Sequence, residues 1–90
     1  MYYSLTCYDL PNSSEKRKSL REDHINYLNN FKKLILFAGP IMDEESSILG
    51  SLIVIKFSSR SEVDDFSKND PYFLGGLFEK ILINKFKRVF

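Results

Sequence analysis

The spacing of apolar and polar positions along the chain predicts six elements. Residues 2–9 are rich in Tyr, Thr and Leu, the composition of a half-buried strand. Pro11-Asn12-Ser13-Ser14 breaks that pattern. Either Asn12, with Glu15 three residues later, or Ser13 is suited to cap a helix start. From there to about residue 33, Leu20, His24, Tyr27, Leu28 and Phe31 recur at helical spacing on one face, and Arg17, Lys18, Arg21, Glu22 and Asn29 lie mostly off it. Residues 34–40 read as a second strand, 43–47 as a polar loop and 49–57 as a third strand around Leu52-Ile53-Val54-Ile55. Ser59-Arg60-Ser61-Glu62 is a capping-box signature, so a short helix follows with Val63 and Phe66 facing inward. Asn69-Asp70-Pro71-Tyr72 ends it, Gly75-Gly76 marks a turn, and residues 77–86 form a last strand around Ile81, Leu82 and Ile83.

The order is β-α-β-β-α-β, the ferredoxin-like split arrangement of an α+β domain. It predicts one four-stranded antiparallel sheet with both helices on one face. Strand side chains alternate sides, so a strand covered on one face reads apolar–polar–apolar. The second and third strands do not: Leu34 to Phe37 and Leu52 to Ile55 are consecutive apolar runs. Two helices cover one face only. The expected solution is a homodimer, a second copy packed sheet against sheet through the open face. The alternative is a monomer with an apolar face partly exposed.

Length narrows this further. Ninety residues make one domain spanning 1–90, large enough for a modest core that a second copy would supplement. Eight Phe and five Tyr argue against disorder. A net charge of +1 with interspersed signs argues against a nucleic-acid partner. The basic stretch Lys85, Lys87 and Arg88 reads as a solvated strand end. A lone cysteine, Cys7, excludes an internal disulfide and suits a reducing, cytoplasmic setting. There is no signal-peptide pattern, and no apolar run nears the roughly 20 residues of a membrane span. With one histidine, no multi-His or multi-Cys metal site is available, and no phosphate-loop or dinucleotide motif occurs. No cofactor and no metal are expected.

His24 carries the most chemical information. It falls between Leu20 and Leu28 on the inward face, where an imidazole needs a hydrogen-bond partner. It reads either as a core histidine bonded to a backbone carbonyl or as a general acid or base. Asp70 precedes Pro71 and reads either as the N-cap of a short turn or as the carboxylate partner of His24. Gly39 and Pro40 end the second strand, by simple termination or to let a ligand approach. Ser51 can donate into a pocket, Tyr72 can wall one or pack in the core, and Arg21 can bind an anion or remain a solvated helix charge. Cys7 reads as a small apolar residue.

The Arg21-x-x-His24 helix, Gly39-Pro40, Gly50-Ser51 before an apolar strand, Asp70-Pro71-Tyr72 and the Phe86-Lys87-Arg88-Val89 ending, taken in order, resemble the YciI-like (YCII-related) family of small bacterial proteins. The resemblance spans nearly the whole chain. It implies kinship with the dimeric α/β-barrel proteins, a small-molecule pocket, and an active-site pair formed by His24 and Asp70. One related enzyme is a dehydrochlorinase that acts on a chlorinated hydroquinone, but most members have no established activity, so the resemblance implies a pocket and not a defined reaction. Three functions stand open on these residues. The first is an acid–base enzyme for elimination or isomerisation of a small cyclic or aromatic compound. The second is a non-catalytic module that binds or senses a small ligand, and the third is a structural or assembly partner.

Overall fold

Strand β1 (Tyr2–Asp9) lies inside the sheet, between β3 (Ile48–Lys56) and β4 (Phe78–Phe86), with β2 (Ile35–Met42) outside β3. All three pairings are antiparallel. Helix α1 (Ser14–Asn29) joins β1 to β2, and α2 (Arg60–Lys68) followed by a single-turn α3 (Pro71–Leu74) joins β3 to β4. This computed structural model describes residues 1–90. The α+β order anticipated from the pattern is the one adopted, with α3 as an addition.

Register decides which side chains meet the helices. Tyr3, Leu5 and Cys7 sit opposite Ile55, Ile53 and Ser51 on β3, and opposite Lys85, Ile83 and Ile81 on β4. The first three, with Ile53 and Ile55, close over Val63 and Phe66 of α2 to form the core. Tyr27 and Leu28 of α1, with Phe31 and Phe57, pack around it. Phe31 meets Phe66 edge-on at 4.9 Å, and the Tyr27 hydroxyl donates to the Phe66 carbonyl at 2.8 Å. Burial pushes the Tyr27 phenol up to about 12, with the Asp70 charge adding to the effect.

Local chemistry sets the ends. Ser59 Oγ accepts from the Glu62 amide, the N-cap half of the capping box expected there, while the Glu62 carboxylate accepts from the Ser59 hydroxyl and not from its backbone N–H. Ser13 occupies the N-cap of α1 but makes no side-chain cap bond, and its hydroxyl instead donates to the Pro11 carbonyl. Asn12 lies in the turn at φ 58°, a conformation asparagine tolerates better than most residues. Helix α1 stops at Asn29, and turn hydrogen bonds carry the chain on to Ile35, so Phe31 reaches the core from a turn.

The apolar run at residues 34–37 has a different origin from the one expected. Leu34 is exposed before β2 begins, and the register shifts between Ile35 and Phe37, so a bulge absorbs Leu36. The run in β3 does face both ways. Ile53 and Ile55 enter the core, and Val54 is buried on the far side, where Phe37 is its partner across the sheet. That far face carries Phe37 at 48% exposure and Leu82 at 43%. No helix of the chain is long and apolar enough to cross a membrane.

Candidate active site

Asp70 is placed by α3. Pro71 opens this turn, and Asp70 caps it in an extended conformation, its Oδ1 accepting from the Tyr72 amide at 2.9 Å. The same oxygen lies 2.7 Å from Nδ1 of His24. His24 projects from the third turn of α1, and both side chains are nearly sealed, with residue exposures of 6% and 3%. A carboxylate is acceptor-only, so Nδ1 carries the proton and donates it to Asp70. Nε2 is then left as the acceptor. It has no protein hydrogen-bond partner and is not fully buried, so it opens onto the neighbouring space.

That space is a cavity of about 920 Å³ between α1, the β1–α1 connection and the ends of β2 and β3. Tyr72 forms part of its wall and stacks on the imidazole, with centroids 3.8 Å apart and planes 11° from parallel. The stack and the Asp70 bond together fix the orientation of the ring.

A second polar group lies beside the first. Arg17, two turns before His24 on α1, is buried. Its Nη1 donates to both Asp9 oxygens at 3.0 and 3.1 Å, and its Nη2 to the Gly50 carbonyl at 3.1 Å and to Ser51 Oγ. Its guanidinium carbon also lies 4.7 Å from the Tyr72 ring centroid. Gly50 allows this approach of β1 to β3: a Cβ there would fall 1.9 Å from the Cys7 carbonyl oxygen. Burial raises the Asp9 carboxyl above its ordinary 3.8, against the opposing pull of Arg17. Burial also raises the Tyr72 phenol, with Arg17 and Arg21 pulling it down. The Cys7 thiol, on the sheet below, is pushed up to about 12 by burial, with the Asp70 and Asp9 charges adding to it.

His24, Ser51, Tyr72, Pro40, Gly39 and Arg21 all line the cavity, and Asp70 stands behind His24. Pro40 pairs with Ser51 and shares its side of the sheet. Gly39 pairs with Leu52, and no atom lies within 4 Å of where its Cβ would be. The glycine that is needed for a close approach is Gly50. Arg21 is exposed at the cavity edge. Arg17 is the residue sequence reading placed on the wrong side of α1. A charge on an otherwise amphipathic helix reads as solvated. The available signal was Asp9, an acid at the end of a strand eight residues earlier, within reach of a long guanidinium. No cluster of three or more His, Cys, Asp or Glu side chains forms.

Comparison with known proteins adds to this geometry. An uncharacterised protein of Haemophilus influenzae is 34% identical over 98 aligned positions that cover all of both chains. The YciI protein of Escherichia coli is 30% identical, again over all of both chains. Among solved structures, the 5-chloro-2-hydroxyhydroquinone dehydrochlorinase of Burkholderia phenoliruptrix, in complex with 2,5-dihydroxybenzoquinone, is similar with a TM-score of 0.91 and 27% identity. That match covers 97% of this chain and 94% of the dehydrochlorinase. A solved Arabidopsis thaliana protein at TM-score 0.52 and 18% identity, over 98% of this chain and 94% of its own, shares the fold alone. The YCII-related domain matches residues 1–87, and the chain belongs to the YCII-related family of the dimeric α/β-barrel superfamily.

Proposed function

We propose that the protein is a small-molecule enzyme that uses His24 and Asp70 for elimination or isomerisation of a small cyclic or aromatic compound. The observation that carries this reading is a buried His24–Asp70 hydrogen bond that turns Nε2 toward a cavity large enough for a single ring. His24 takes a proton from a C–H or O–H bond of the substrate at Nε2. The electron pair left behind expels a leaving group from a neighbouring carbon in an elimination. In an isomerisation it shifts, and His24 returns the proton at another carbon. Asp70 holds the tautomer and offsets the charge of the imidazolium that forms. A positioned base of this kind contributes about 10²–10⁴-fold. Similarity to a dehydrochlorinase over nearly the whole chain supports a ring compound as substrate.

The reading is tested with 5-chloro-2-hydroxyhydroquinone, following chloride release by wild type and His24→Gln. Turnover by wild type and its loss in the variant are expected. Equal turnover by both proteins contradicts the assignment of His24. Binding of 2,5-dihydroxybenzoquinone without turnover of any ring substrate would favour a ligand-binding module instead.

The far face of the sheet completes the proposal. Phe37, Leu52, Leu82 and Phe86 meet water there, and packing against the same face of a second copy buries them. Sedimentation equilibrium should return twice the 10.5 kDa chain mass. Leu82→Lys should shift the protein toward monomer. The unpaired, buried Cys7 suits a cytoplasmic setting.

A further inference from the structure

The charges around the cavity are unequal, and the inequality has a chemical meaning. Four charged residues line it: Asp9, Arg17, Lys18 and Arg21. Asp9 is the only acid, and both of its oxygens are held by Arg17. Arg17 in turn spends its terminal nitrogens on Asp9, Gly50 and Ser51. This pair cancels internally and offers no free charge to a ligand. Lys18 and Arg21 are different. Two ion pairs join Arg17 to Asp9 and Arg60 to Asp64, and Asp70 accepts from the neutral His24, so neither Lys18 nor Arg21 has an ion-pair partner and their two charges outnumber the single Asp70 carboxylate behind His24. Arg21 lies one turn before His24 on α1, close enough to Tyr72 for its charge to act on the phenol. The cavity therefore presents uncompensated positive charge beside the proton acceptor.

Resting on the acid–base reading above, we propose that the substrate is an anion: a small ring bearing a carboxylate or an acidic hydroxyl ionised as the phenolate or enolate. Arg21 recognises its anionic oxygen. The planar guanidinium makes two parallel hydrogen bonds to a carboxylate or to paired ring oxygens. Ser51, buried beside Arg17 in the same cavity, offers a second donor. Its Oγ accepts from Arg17, and its own proton has no acceptor in the protein, so it is free to donate to a ligand oxygen. An anchored oxyanion also keeps charge that develops on the ring within reach of a cation as His24 withdraws a proton.

Two matched pairs of probes test this by calorimetry: 2,5-dihydroxybenzoquinone with its dimethyl ether, and benzoate with benzamide. Within each pair the ring is kept and the charge removed. Wild type is expected to bind the anionic member of at least one pair more tightly, and added salt should narrow the gap. Arg21→Gln should weaken the anionic member about tenfold and leave the neutral one unchanged. Arg21→Lys should recover part of the loss. Arg21 is exposed, so these variants should fold as wild type does, which a thermal melt checks. Equal binding within both pairs, or an equal loss of both members in Arg21→Gln, overturns charge selection while leaving His24 chemistry standing. Failure of all four probes to bind at millimolar concentration overturns the inference together with the ring-substrate reading.

Discussion

Replacing Asp70 with alanine removes two hydrogen bonds at one oxygen, and the structure gives the scale of each. The first is the cap on α3, where Oδ1 accepts from the Tyr72 amide. Loss of an N-cap costs about 1 kcal/mol. The second is the bond to His24 Nδ1, whose N–H is then left without a partner in a buried site. A stranded donor of that kind costs about 1–3 kcal/mol. Together these predict a loss of about 2–4 kcal/mol. In a domain of this size each kcal/mol moves the melting midpoint by about 4–8 °C, so Asp70→Ala should melt at least about 8 °C below wild type. Asp70→Asn is the control. Its amide oxygen can keep both bonds, and Oδ2, where the amide nitrogen would sit, makes no protein hydrogen bond to lose. Asp70→Asn should therefore melt within a few degrees of wild type, a change under about 1 kcal/mol. It should still turn over at least about tenfold more slowly, because a neutral amide does not offset an imidazolium charge. Scanning calorimetry at one fixed protein concentration separates the two variants without interference from association. Equal melting of the alanine and asparagine variants would refute the double role given to this carboxylate.

Three other consequences are open to measurement. Gly50→Ala places a methyl group against the Cys7 carbonyl, a backbone atom that cannot swing aside, and should abolish soluble folded protein; a native circular-dichroism spectrum from that variant contradicts the packing described. The Cys7 thiol, pushed up to about 12 by burial and two nearby carboxylates, should resist iodoacetamide at pH 8 in the native protein and react once denatured; fast native alkylation would count against it. Asp9 binds its proton more tightly in the folded state than the ordinary 3.8, so between that value and its raised native one the folded chain holds more protons and stability falls as pH rises; Asp9→Asn should flatten this slope in urea titrations at several pH values.

Much of the architecture was readable before any coordinates, for reasons that differ by element. The capping box at Ser59 and the Asp70-Pro71 step are local devices whose partners lie within three residues, so sequence spacing states them directly. The inward face of α1 follows from helical periodicity. The meeting of His24 with Asp70 spans 46 residues and depends on how α1 and α3 pack, which no local rule contains. The residues left that pairing open as one of two readings of Asp70, and the resemblance pointed to it. Arg17 was misread because a guanidinium buried against a carboxylate and a carbonyl looks, in sequence, like any other helix charge. The bulge at Leu36 was hidden because an apolar run carries no mark of where the pleat is interrupted.

One oxygen atom of Asp70 both begins a helix and aims the imidazole. On the acid–base role proposed for the pair, selection for a foldable chain and selection for chemistry converge on the same side chain. A relative that has abandoned catalysis still profits from keeping the aspartate as a cap, whereas a histidine facing the cavity serves it less. Within such a lineage the histidine, not the acid, is the character that should separate working enzymes from retired ones.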